Sequence, residues 1–267
     1  MLGAKKEKTS VDIRWKTALT DVKPNKISVR GYAVDALMGE ATFAQAIYLL
    51  FKGEFPSPEV GKLIDAILVS SIDHGASPPS VLTARTAAST GSELNAAVAA
   101  GVLAISRWHG GAVEEGMRLF LEAARRMESK SLGEQAAAEE ILQELKRSGG
   151  KASGFGHRLH TRDPRTARLF SLAEELGLAG RHVRIARAVE AGLERSTGKA
   201  LPINVDGAIA ALLCDLGFPP ELGNAFFIIA RVPGLVAHVH EEKTRMKPMR
   251  KIHPENFEYD GPGKREV

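Results

Sequence analysis

Four short polar islands hold the residues best able to move protons: Asp73-His74-Gly75, His109-Gly110-Gly111-Ala112, Gly154-Phe155-Gly156-His157-Arg158 and Asn204-Val205-Asp206-Gly207. An imidazole gives or takes a proton near neutral pH and a carboxylate takes one, so the set suits general acid–base catalysis. One histidine beside a glycine is ordinarily a surface or capping residue. Three such pairs and an Asp-Gly, each at the edge of an apolar stretch, point instead to helix ends converging on one cavity. There the glycines let backbone and ligand approach closely. A basic run, Lys243, Arg245, Lys247, Arg250 and Lys251, reads either as a solvated face or as a receiver for a small polyanion.

The chain that must position these groups has 267 residues, enough for one large domain, or for one domain with a smaller lobe. Its apolar share of 44% suits a buried core, while the aromatic share of only 6% favours helices packed through small side chains over a sandwich of aromatic strands. The net charge is +4, but acidic and basic residues are interleaved and no nucleic-acid motif is present, so no nucleic-acid partner is expected. No apolar stretch looks long enough for a bilayer, and residues 1–14 lack an apolar signal core. The single cysteine, Cys214, cannot form an internal disulfide and sits in an apolar run, which suits a buried structural thiol. A cytoplasmic location is expected.

Apolar periodicity predicts helices over most of the chain. Thr42 caps one over 43–51 that Gly53 stops, and Ser57-Pro58-Glu59 opens the next. Further helices are predicted from Pro78-Pro79 to Ser89 and from Ser92-Glu93 to about Ser106, the latter small enough in side chain to be buried all round. Others are predicted near 112–127, 133–147 (entered by a Ser131/Glu134 capping box), 164–176, 181–196, 206–216, 219–230 and 234–246. Only residues 11–30 read as short strands. The fold class predicted is all-α. Residues 148–156 form a loop with four glycines, and Gly149-Gly150 and Gly154-Gly156 are candidate hinges.

In this setting the motifs resemble those of the citrate synthase family. The run 153–165, SGFGHRLHTRDPR, is similar to its Gly-His-Arg…Asp-Pro-Arg signature. Arg30-Gly31-Tyr32 with the stretch 43–55, then Asp73-His74 with Thr83-Ala84-Arg85 and Ala88-Ser89-Thr90, follow in the family's order. So do His109-Gly110-Gly111-Ala112, Pro202 to Asp206, and the late Ala230-Arg231 through Ala237-His238 helix. The likeness covers residues from about 12 to 260. It implies the family's helical fold with a large helical domain and a smaller lobe, here approximately 157–230 against 12–156 and 231–267. A block of helices usual before the Asp-His motif is missing, so 55–73 holds a single helix. That compact layout is more like stand-alone citryl-CoA lyases and the C-terminal lyase module of ATP-citrate lyase. Retention of His109 differs from that module.

The resemblance implies roles for particular side chains. Asp206 would take the acetyl α-proton in synthesis or return it in cleavage, although it could also simply cap the helix that starts beside it. His109 would donate to the thioester oxygen, kept neutral by the positive end of the helix after Gly110-Gly111. His157 would face the ketone oxygen, or take the proton of the citryl hydroxyl. Arg165, Arg231 and Arg250 would receive carboxylates, with His74 as an added donor. In the family the arginine matching Arg250 reaches across a subunit boundary, which implies a homodimer or a higher even homo-oligomer. Backbone N–H groups of Gly154, Phe155 and Gly156, with Arg158 and Lys151, are candidates for the anionic parts of CoA.

No metal and no cofactor is expected beyond a CoA thioester as substrate or product, and no membrane partner. The favoured activity is cleavage of citryl-CoA to acetyl-CoA and oxaloacetate. Two alternatives remain open: a short citrate or methylcitrate synthase joining an acyl-CoA to oxaloacetate, and a non-catalytic acyl-CoA-binding subunit.

Overall fold

The computed structural model describes residues 15–156, 163–251 and 253–266. The chain divides into two compact units, Met1–Gly61 and Lys62–Val267.

The first unit opens with an antiparallel meander of β1 (Thr20–Lys23), β2 (Lys26–Val29) and β3 (Tyr32–Ala33), with Asp21 opposite Ser28 and Val29 opposite Tyr32. Strand structure thus runs slightly beyond the predicted 11–30. Helices α1 (Val34–Leu37) and α2 (Phe43–Lys52) follow. Thr42 and Gln45 form a reciprocal capping box at the start of α2, and Gly53 ends it at φ 83°. Arg30 ties the meander to that end. Its Nε and Nη2 donate to the Leu50 carbonyl at 3.2 and 2.8 Å, where a helix leaves carbonyls unpaired and favours a cation.

Helix α3 (Pro58–Ser70) crosses the division and is the single helix between Phe55 and Asp73. The second unit is all-α, built from α4 (Pro79–Ser89), α5 (Leu94–Leu103), α6 (Ala112–Lys130), α7 (Glu134–Ser148), α8 (Pro164–Glu175), α9 (Arg181–Thr197), α10 (Val205–Asp215) and α11 (Gly223–Arg245). Small side chains draw α4, α5 and α11 together over a core of Val81, Ala84, Ala88, Ala97, Leu235 and Val239. A Cβ on Gly101 would stand 2.9 Å from both Ala84 Cβ and the Ser80 carbonyl, so that crossing tolerates only glycine.

Four expectations are corrected. The helix buried all round is α10, whose residues 207–214 are all buried, whereas α5 leaves Leu103 82% exposed at its end. Ser131 does not start α7: at φ 54° it terminates α6, and Gly133 precedes α7 without a side-chain cap. The two helices predicted over 219–230 and 234–246 are one, α11, running through Pro233. A proline removes one N–H from the ladder, and packing of this helix against α4, α5 and α6 offsets that loss. Residues 220–245 also reach the length and apolarity of a membrane span, unlike the expectation, but that run carries the buried Arg231 and Glu242. Glu242 is ion-paired with Arg85 at 2.6 Å.

Cys214 is buried, and burial pushes its thiol up to about 12, which fits an inert structural residue.

Candidate active site

The site is assembled where the 71–75 turn, the start of α6, the start of α8, the start of α10 and the middle of α11 meet. Its carboxylate comes from α10. Asn204, not Asp206, caps this helix, its Oδ1 accepting from the N–H groups of Asp206 and Gly207 at 3.1 Å each. Asp206 therefore stands in the first turn with its carboxylate released from capping duty. Burial raises its pKa above the ordinary carboxylate range; the Arg165 and Arg231 charges pull the other way, and Asp163 adds to the rise.

A backbone seam fixes this helix start. Gly156 donates to the Pro202 carbonyl at 2.7 Å, Asn204 donates to the Gly154 carbonyl at 3.0 Å, and Phe155 pairs with Ile203. Gly154, at φ 89°, lies so close to α10 that a Cβ there would stand 2.6 Å from the Gly207 Cα. The glycine loop thus positions Asp206. Its expected role as a source of free N–H groups is corrected in part, because the Gly156 N–H is already bonded, and the Phe155 ring packs edge-on to Phe120.

Arg165 follows the cap of α8. Asp163, fully buried in its side chain, accepts from Arg165 Nε at 3.0 Å and Nη2 at 2.8 Å, and also from the N–H of Val205 at 3.2 Å. One carboxylate therefore sets both the guanidinium and the α10 start. Burial works to raise Asp163, but its bonds to Arg165 hold it below the usual range.

Arg231 is 2% exposed on α11. Its Nε donates to the Ser71 carbonyl at 3.0 Å, its guanidinium lies 4.8 Å from the Phe227 ring centre, and its Nη1 is buried with no hydrogen-bond partner among the described residues. A buried donor left without an acceptor is a place for an anionic ligand. Burial lowers the Arg231 pKa, opposed by Asp73 and Asp206.

His109 sits half-buried before α6, edge-on to Phe227, with Nε2 at 2.8 Å from Oγ of the buried Ser80. Its pKa is depressed, first by burial and then by the charges of Arg231 and His74. Both effects favour the neutral imidazole expected from the sequence. If Ser80 gives its hydroxyl proton to Nε2, the imidazole proton resides on Nδ1, free to be donated elsewhere.

Arg231 influences both His109 and Asp206, so these three, with His74 and Arg165, share one electrostatic neighbourhood. His157 and Arg158 lie outside the described residues. Arg250 is not brought to this group. It pairs with Glu242, its Nε donating at 2.9 Å, and Glu242 also holds Arg85 at 2.6 Å. Exposed Lys151 lines a cleft of about 350 Å³ between α6 and α7 together with Ser153, Arg118 and Arg126. Sequence reasoning missed Ser80, Asp163 and Asn204 as supporting residues. The N-cap signal of Asp163-Pro164 and Asn204 could have found two of them; nothing local marks Ser80, whose partner lies 29 residues away.

Comparison with known proteins gives the family and the fold. Residues 56–255 match the family profile described as citrate synthase, C-terminal domain. The chain belongs to the citrate synthase family. It superimposes on the structure of citryl-CoA lyase from Hydrogenobacter thermophilus with a TM-score of 0.86 and 44% identity, covering 95% of this chain and 97% of that one. It is 34% identical over 206 residues to citrate/2-methylcitrate synthase of Bacillus subtilis, covering 74% of this chain and 52% of that protein. An ATP citrate lyase from Methanothrix soehngenii, solved with citrate and coenzyme A, shares the fold at 24% identity and a TM-score of 0.79, covering 95% of this chain and 43% of that one. The chain spans about half the length of the curated relatives it matches.

Proposed function

We propose that this protein cleaves citryl-CoA to acetyl-CoA and oxaloacetate. The observation that carries the reading is that the Arg231 charge acts on both Asp206 and His109, while its buried Nη1 has no acceptor among the described residues. Arg231 and Arg165 receive carboxylates of the citryl group, assisted by His74. A base, assigned to His157, takes the proton of the tertiary hydroxyl. The new carbonyl forms as the carbon–carbon bond breaks, and the electron pair passes to the thioester as an enolate. His109 donates to the enolate oxygen where charge develops. Asp206 in its acid form, which the upward shift of its pKa favours, delivers a proton to carbon and gives acetyl-CoA.

Support comes from the compact layout, with α3 alone between Phe55 and Asp73, and from the 44% identity to a citryl-CoA lyase of the same extent. Incubation with citryl-CoA should release oxaloacetate, read by a coupled reduction; no release at any enzyme concentration would defeat the proposal. Condensation of acetyl-CoA with oxaloacetate is a second reading, favoured by the intact His109–Ser80 pair and by synthase relatives. Thiol release faster than citryl-CoA cleavage would select it.

The finer assignments belong to the same proposal. Lys151, Gly154, Phe155 and Arg158 attend CoA, and residues 157–230 act as the smaller lobe. The active form is a homodimer in the cytoplasm, with Arg250 serving the partner's site. Leu82, Leu103 and Trp108, in and after α4 and α5, are exposed, and covering such apolar side chains would favour pairing of copies. Sedimentation of a monomer at working concentration would remove the dimer.

A further inference from the structure

Three residues on one face of α11, Arg231, Gly234 and His238, meet three consecutive residues of the turn that follows α3. Arg231 Nε donates to the Ser71 carbonyl at 3.0 Å. Gly234 lies against Ile72 and Asp73: a Cβ there would meet the Ile72 carbonyl oxygen and stand 3.2 Å from Asp73 Oδ1. His238 Nε2 is 3.0 Å from the same Asp73 Oδ1. The spacing of three and then four residues places all three on one helical stripe. Turn and helix are thus fastened at successive points.

An ionised Asp73 can only accept, so the proton of this pair belongs to His238 Nε2. The other carboxylate oxygen accepts from the Gly75 N–H at 2.9 Å, which closes the backbone around His74, with Gly75 at φ 75°. Burial works to raise Asp73, yet the Gly75, His74 and His238 donors hold it below the usual range, so it remains ionised. His238 Nδ1 is buried without a hydrogen bond among the described residues and lies 3.8 Å from Glu241.

We propose that His238 is a positioning residue: through Asp73 it locks the 73–75 turn onto α11 and so fixes His74 beside His109 and Arg231. No atom of His238 needs to touch substrate. Its kinetic consequence rests on the proposed citryl-CoA chemistry, whereas its structural consequence does not.

The experiment compares the wild type with His238→Ala and His238→Gln, the glutamine retaining a donor near the Nε2 position. With citryl-CoA, His238→Ala should lower kcat about ten- to a hundredfold, the scale of a small misplacement of reacting groups, with a smaller change in KM. His238→Gln should recover most of that loss. Ring signals of His74, followed by NMR in the full-length protein, should move in His238→Ala and return toward the wild type in His238→Gln. Wild-type kcat and unmoved His74 signals in His238→Ala would overturn the inference, as would equal losses in the two variants that track only a lowered Tm. A wild type without citryl-CoA cleavage would defeat the function, and the His74 signals would still decide the positioning role.

Discussion

Asp163 holds Arg165 through both carboxylate oxygens, at 3.0 Å to Nε and 2.8 Å to Nη2, while its side chain has no contact with solvent. Two parallel bonds fix the plane of the guanidinium as well as its place. The same carboxylate accepts from Val205 at 3.2 Å, so the arginine and the acid-bearing helix share one anchor.

Asp163→Asn keeps the shape but removes the charge and one acceptor. KM for citryl-CoA should rise about tenfold, and stability should fall by about 2–3 kcal/mol, the scale of a lost hydrogen bond to a charged group. Steady-state kinetics and urea unfolding measure the two. An unchanged KM would separate Asp163 from the aim of Arg165.

Asp206→Asn should reduce turnover in both directions by about a thousandfold or more, as expected for loss of a proton-transfer group. Stability should move oppositely. The folded carboxyl has a raised pKa, so in the pH range between the unfolded and folded values the native state binds the extra proton. Wild-type stability therefore falls as pH rises through that range, and Asp206→Asn lacks this loss. At neutral pH the variant should equal or exceed the wild type in urea midpoint, because Asn204 remains to cap α10. A less stable variant would contradict this.

The same shift gives a pH profile. Cleavage requires the protonated Asp206 and should decline as pH rises through its elevated pKa, while condensation should gain over that interval. Initial rates in the two directions across pH, with Asp206→Glu as comparison, check the opposed limbs. Parallel limbs would argue for a different proton carrier.

Ser80→Ala removes the partner of His109 Nε2 at 2.8 Å. The imidazole loses the bond that selects its tautomer, and kcat should fall about tenfold with KM little altered. Ser80→Thr, which restores a hydroxyl, is the control for crowding at this buried position.

Asn204→Ala leaves the Asp206 and Gly207 N–H groups without their acceptor and also removes the 2.9 Å bond from Nδ2 to the Gly156 carbonyl. Loss of stability should be about 1–2 kcal/mol, as for other N-cap deletions. Thermal unfolding reads it, and an unchanged midpoint would show that solvent replaces the cap.

Much of this was legible in the order of residues. Thr42 before an apolar run and Gly53 after it state a helix and its ends, and α2 occupies Phe43–Lys52. The islands at His74, His109, Gly154 and Asp206 mark boundaries because glycine, asparagine and aspartate satisfy chain ends locally. Family resemblance then supplied the roles of Asp206, Arg165 and Arg231. Errors arose where neighbours decide. Ser131 and Glu134 have the spacing of a capping box, but the chain enters a left-handed turn at Ser131 to close α6. Pro233 reads as a break, yet α11 continues through it because packed neighbours offset one missing bond.

The sequence by itself determined the helical class, the approximate places of most helices and the identities of the acid, imidazoles and guanidinium groups. Those properties depend on neighbours within a turn or two, and local propensity reports them. Only the tertiary structure decided which bases of the site are restrained and by what: Ser80 on His109, Asp163 on Arg165, Asp73 on His238. The first and last of these pairs join residues 29 and 165 apart along the chain, and a proton's position or an arginine's aim is set by the atoms it finally touches.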